Sequence, residues 1–272
     1  MAADHSAFTP IPDSDIRSLY NFLRDYPRKS LHLEMANAMQ KKPKPLAEML
    51  LRSFQQCIPF NNWQQPFHNR RGKGEMQFTE ERLKSEWLAN RVLVSLAQLD
   101  PNAGFPFSYV DYEIRPFRVV GNEPPPNSVT PREGQIDILM VDKNRSPIIG
   151  EIKAKKDATL LLALIQSLAS AVEFATPNQR ARLNNIYKDI KGENVFSDHT
   201  PVGVCLLQAL PPSDKCSKAI SVAVGGICEN LMNSQETRKI ISSITCLKSI
   251  GEEGDCREWE TVFEFPSQAE LA

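Results

Sequence analysis

Apolar positions along the chain alternate between a helical and an extended period, and the switches between the two sketch the fold. In SDIRSLYNFLRDY, Ile16, Leu19, Tyr20 and Leu23 stand at i, i+3, i+4 and i+7, the stripe of an amphipathic helix. PLAEMLLRSFQQC repeats that spacing, so residues 13–57 read as two or three short helices. Residues 58–78 are rich in Pro, Gly and Asn and read as a long loop. Thr79 then caps a helix on which Leu83, Trp87, Asn90, Val94 and Ala97 share a face. Residues 108–120 alternate like a strand, and Pro116 points to an edge or a bulge.

A Pro-rich connection, GNEPPPNSVTPREG, leads to two strands near 135–142 and 147–153 around a DKNRS turn. A very apolar helix follows near 158–176 and ends by Pro177, and NQRARLNNIYKDI reads as another. PVGVCLLQAL is apolar almost throughout, as a buried, parallel-type strand is. Residues 214–249 read as helical again, with Gly225-Gly226 as a break, and REWETVFEF closes as a possible final strand. This order is α/β, with a mixed central sheet and helices on its faces. It divides the chain into a helical N-terminal region and loop (1–78), a core (79–210) and a C-terminal helical extension (211–272).

Composition narrows the classes. With 272 residues, 41% hydrophobic and 24% charged, the chain can bury a sizeable core. A net charge of −1 excludes a histone-like polycation, but not an enzyme that meets nucleic acid through a local basic groove. The six cysteines form no CxxC pair and no zinc-ligand spacing, and the N-terminal segment lacks the basic and apolar regions of a leader. No apolar run approaches the roughly 18 residues of a membrane span, so a cytoplasmic protein with reduced thiols is expected. There is no GxxxxGK[ST] and no strand-borne GxGxxG. His5, His32, His68 and His199 lie in poorly patterned or loop-like sequence, and no nucleophile triad can be built on them.

Charge inside the two central strands is what changes the picture. GQIDILMVDKNRSPIIGEIKAKKD places Asp137 in one apolar run, and Glu151 and Lys153 in the next. If Asp142 and Ser146 close a hairpin over a three-residue loop, paired positions sum to 288, which sets Asp137 opposite Glu151. Lys153 then emerges on the face of Glu151. Two facing carboxylates repel and raise each other's pKa, and oxygen ligands of this kind suit Mg²⁺ or Mn²⁺. The bland alternative is an edge strand with solvated charges. Ile148, Ile149 and Ile152 around them argue against it.

QIDILMV followed by PIIGEIKA resembles the PD-(D/E)XK nuclease superfamily, over about residues 80–210. The resemblance implies a restriction-endonuclease-like core with helical N- and C-terminal additions. It implies a metal-dependent nuclease, with DNA as the expected partner, no membrane, and a homodimer left open. In that superfamily two acids hold the metal, here Asp137 and Glu151, with the Ile152 carbonyl as a further ligand; the lysine, here Lys153, assists the attacking water. Ile136 stands where many members have proline. A further acid on the preceding helix falls to Glu86, with Glu81 in reserve. The glutamine that many members carry on the following helix falls to Gln166, although its i+4 partner is Ser170 and not tyrosine.

Lys155 and Lys156, just past the motif, and Arg70, Arg71 and Lys73, beside Trp63 and Phe67 in the long loop, are candidate nucleic-acid contacts; solvated surface is the alternative for both groups. Arg180 and Arg182 read as surface residues. Two other functions stay open: a catalytically inactive module of the same fold that binds nucleic acid or protein, and a small restriction-type endonuclease whose helical ends read sequence.

Overall fold

The computed structural model describes residues 15–57, 107–114, 136–153, 159–191, 194–198, 201–210, 212–250 and 259–265. Three helices come first: α1 (Ile16–Asp25), α2 (Lys29–Lys41) and α3 (Lys44–Cys57). Strands β1 (Ser108–Ile114), β2 (Ile136–Val141) and β3 (Pro147–Lys153) follow, then α4 (Leu160–Phe174) and α5 (Pro177–Lys191). The chain continues through β4 (Val202–Gln208), α6 (Lys215–Met232), α7 (Gln235–Arg238), β5 (Ile241–Ser249) and β6 (Trp259–Phe265).

The strands form one six-stranded sheet in the order β1-β2-β3-β4-β5-β6. β2 runs antiparallel to both β1 and β3, β3, β4 and β5 are parallel, and β6 returns antiparallel. β4 is central and buried at every position, which is why its sequence carries no alternation. The fold is therefore mixed α/β, a mixed sheet flanked by helices.

One face of the sheet packs Leu139, Ile149, Val204 and Leu206 against the apolar sides of α1 to α4 and α6. A smaller cluster on the other face gathers Ile138, Met140, Ile148, Cys205 and Leu207. Side-chain caps start the helices that matter for the site. Asp15 accepts from the Ser18 backbone N–H at the head of α1, and Thr159 from that of Leu162 at the head of α4.

In the C-terminal segment the helix from 215 and the final strand β6 follow the sequence reading, but residues 241–249 do not continue the helix. Ile240, Ile244 and Leu247 have helical spacing, yet residues 241–249 are strand β5, whose β-branched Ile and Thr side chains pack against β4. Gly225 and Gly226 do not break a helix either; both lie inside α6. A Cβ on Gly226 would stand 2.2 Å from Nε2 of Gln40, so the missing side chain lets α2 lie close. Arg180 is not a surface residue: it is fully buried on α5, and its Nη1 donates to the Ser197 carbonyl at 2.6 Å. The side chain of Arg182 falls outside the described set. Among the described residues, no single helix is long and apolar enough to cross a membrane.

Candidate metal centre

The hairpin closes as its sequence implies. The Asp142 N–H donates to the Ser146 carbonyl at 3.1 Å, and the Arg145 N–H to the Asp142 carbonyl at 3.0 Å. Asp142 Oδ1 also accepts from the backbone N–H groups of Asn144 and Ser146, at 2.9 and 2.7 Å. Arg145 takes the left-handed conformation, φ 62°, that ends a three-residue hairpin loop. The pairs Ile138–Gly150, Leu139–Ile149, Met140–Ile148 and Val141–Pro147 all sum to 288, the register that carries Asp137 toward Glu151.

One step beyond the last pair, side chain replaces ladder. The Ile152 N–H donates to Asp137 Oδ2 at 2.7 Å. A strand residue presents its N–H and C=O to the same side, so the Ile152 carbonyl faces the β2 side of β3 as well. Glu151 is buried, and both of its oxygens are engaged: Lys153 Nζ donates to Oε1 at 2.7 Å and Gln166 Nε2 to Oε2 at 2.8 Å. Gln166 reaches the strand because α4 lies across this face of β3 and β4. Asp137, Glu151, Lys153, Gln166 and the Ile152 main chain thus meet at one place.

The electrostatics follow from burial and crowding. Burial, then the neighbouring Asp137 charge, pushes the Glu151 carboxyl up to about 8, against the pull of Lys153. Burial also raises Asp137, opposed by Lys153 and the Ile152 N–H. The two acids act on each other, and their mutual contact raises Glu151 while it lowers Asp137, so Glu151 is the weaker acid of the pair. Burial works against a charged Lys153, but the two acids outweigh it and hold the ammonium above the ordinary lysine value.

Two crowded carboxyl groups with the Lys153 ammonium beside them are hard oxygen donors of the kind Mg²⁺ or Mn²⁺ takes. Among the described residues no group of three or more His, Cys, Asp or Glu side chains forms a metal cage. Glu86 and Glu81, the candidates for a further acid, lie outside the described residues, as do Lys155, Lys156, Arg70, Arg71 and Lys73.

Sequence reasoning missed Tyr20. It lies on α1 at 9% exposure, and its phenol is raised by burial and then by the charge of Glu151, with Lys153 and Arg24 opposing. Its place in an apolar stripe made it look like core alone. Gln208 was missed too: it pairs with Lys153 across β3 and β4 and is buried beside it. His32, far from being a loop residue, is buried on α2 and bonded to Thr159 at the head of α4.

An acid pair, a lysine and an amide on a mixed sheet define the site by its chemistry. No family model, no curated protein and no solved structure matches the chain.

Proposed function

We propose that the protein is a Mg²⁺- or Mn²⁺-dependent nuclease of restriction-endonuclease-like fold that hydrolyses phosphodiester bonds, with DNA as its substrate. The observation that carries this reading is the meeting of Asp137, Glu151, Lys153 and Gln166 on one sheet face in the β2–β3 register. Purely structural charges have no need to be buried together with a lysine and an amide aimed at the same carboxylate.

Asp137, Glu151 and the Ile152 carbonyl would hold the divalent cation. When bound, it supplies charge neutralisation and a water acidic enough to attack at neutral pH. Lys153 orients that water and meets the negative charge that grows on the phosphate. Gln166 fixes the orientation of Glu151 through its second oxygen. To hold the cation Glu151 would be ionised, its proton lost to solvent.

The test is incubation of the purified protein with linear, circular and single-stranded DNA and with RNA, each with and without Mg²⁺ or Mn²⁺. Metal-dependent cleavage of DNA, absent in Asp137→Asn, is the expected result. If no substrate is cut and calorimetry detects no Mn²⁺ binding, the chain is instead a binding module of this fold.

A further inference from the structure

The ladder between the parallel strands extends the acid centre sideways. Lys153 on β3 is the register partner of Gln208 on β4, and Gln208 is that of Lys248 on β5. Lys248 in turn stands opposite Glu260 on β6. Partners in register point to one face of a sheet, so these four residues form a single polar row on the face of Glu151. Two residues back along each strand, Leu206 and Cys246 lie level with Glu151 and belong to the main core. That face therefore turns from apolar to polar on three neighbouring strands at the same level, at the carboxyl ends of β3, β4 and β5.

Solvation of the sheet end does not account for the row. Gln208 is 6% exposed, and its Nε2 donates to Ser221 Oγ on α6 at 3.5 Å. The Lys153 side chain is 12% exposed and committed to Glu151 at 2.7 Å. Only at the far end does the row open, with 36% exposure at Lys248 and 53% at Glu260. These two form an ion pair at 3.1 Å, of the half-solvated kind that contributes little and that another anion can replace.

The spacing suits a polyanionic strand. Neighbouring strands stand about 4.8 Å apart, which sets the Lys153 and Lys248 backbones about 10 Å apart. One strand of a duplex advances about 3.4 Å per phosphate, so that span covers about three phosphates. We infer that Lys248 binds a backbone phosphate about three positions from the one held at Asp137, Glu151 and Lys153. The substrate strand then runs across the carboxyl ends of β3, β4 and β5, over Gln208 as its floor. Glu260 holds the ammonium in place until that phosphate replaces it. The inference rests on the nuclease reading for its substrate, but the contact itself is tested without catalysis.

The experiment is fluorescence anisotropy of the full chain with a fluorescein-labelled DNA duplex, in Ca²⁺ so that binding is read without cleavage, across a salt series. Lys248→Gln should weaken binding about three- to tenfold and lower the slope of log K against log salt by about one, the signature of one lost phosphate contact. Glu260→Gln should bind a few-fold more tightly, and the Lys248→Gln, Glu260→Gln double variant should lose that gain. Lys239→Gln is the control: that lysine is exposed, paired with Glu236, and its loss should leave the slope unchanged. A purely structural Lys248 would alter the melting temperature and not the slope.

A wild-type slope in Lys248→Gln overturns the inference, whatever cleavage shows. So does an equal fall in Lys239→Gln, which would make the effect one of overall charge. A Glu260→Gln gain that survives in the double variant overturns the role given to Glu260. If the wild type binds with a Lys248-dependent slope but cuts nothing in Mg²⁺ or Mn²⁺, the phosphate contact stands and the nuclease reading falls. Cleavage by the wild type alongside an unchanged Lys248→Gln slope gives the reverse. No measurable binding by the wild type overturns the inference too.

Discussion

Asp137 Oδ2 takes the Ile152 N–H at 2.7 Å, a carboxylate standing where a neighbouring strand would offer a carbonyl. The bond gives Asp137 two separable duties, one to the backbone and one to the proposed cation. Asp137→Asn keeps an acceptor for that N–H and removes the charge. It should melt like the wild type yet lose cleavage by at least about a hundredfold. Asp137→Ala should lose cleavage equally and also cost about 1–3 kcal/mol in urea denaturation, because the N–H is left without its acceptor. Full activity in either variant removes Asp137 from the mechanism.

In the proposed reaction Gln166 acts through Glu151, to which its amide donates. Gln166→Leu fills the same space without the 2.8 Å bond and should reduce cleavage or Mn²⁺ affinity about 10–100-fold. Steady-state kinetics beside a Mn²⁺ titration measure this. A variant with wild-type affinity and rate would leave the amide as mere packing.

Cation binding should be visible as stability. At a concentration 100 times its dissociation constant, Mn²⁺ adds about 2.7 kcal/mol to whatever state binds it. A thermal melt of the wild type should therefore rise by several degrees in Mn²⁺, and that of Asp137→Asn should not. Equal shifts in both proteins would place the ion somewhere else.

The Arg17–Glu173 pair holds α1 to α4 with side-chain exposures of 13% and 4%. Arg17→Ala strips the guanidinium from a deeply buried carboxylate, and the expected cost is about 3–5 kcal/mol. The Arg17→Met, Glu173→Met double variant should recover much of that loss, since no buried charge is then left uncompensated. Denaturant midpoints of the two variants decide it; a milder Arg17→Ala than double variant contradicts the account.

His32 sets an acid limit. Its Nε2–H donates to two carbonyls, and in the neutral ring Nδ1 is left to accept from the Thr159 hydroxyl. Burial lowers its pKa below the ordinary 6.5. The unfolded chain then takes up the proton first as pH falls, so the stability His32 contributes is present above about pH 6.5 and is lost as pH drops toward the folded value. Denaturation midpoints should fall as the pH drops below about 6.5 in the wild type. His32→Gln should be weaker at neutral pH and nearly flat across that window.

The acid-bearing hairpin was legible in the sequence because two short-range rules agree on it. Strand alternation puts Glu151 and Lys153 on one side, and a three-residue loop leaves one register for Asp137. Gln166 was legible because an amide among leucines must find a partner. Strand β5 was not, since Ile240, Ile244 and Leu247 satisfy a helical period as well as they fill a sheet core. Tyr20 was hidden for a different reason: it belongs to the apolar stripe of α1 and to the acid site at once, and only long-range packing brings 20 beside 151. His32 likewise drew its meaning from Thr159, 127 positions away.

The strands lie across the sheet in the order in which they occur along the chain. A polypeptide emerging from the ribosome can therefore lay each strand beside the one made just before it. Among the described strands, none made later has to be threaded between two that have already zipped together, so these six can assemble from the N-terminal end in the order of their synthesis.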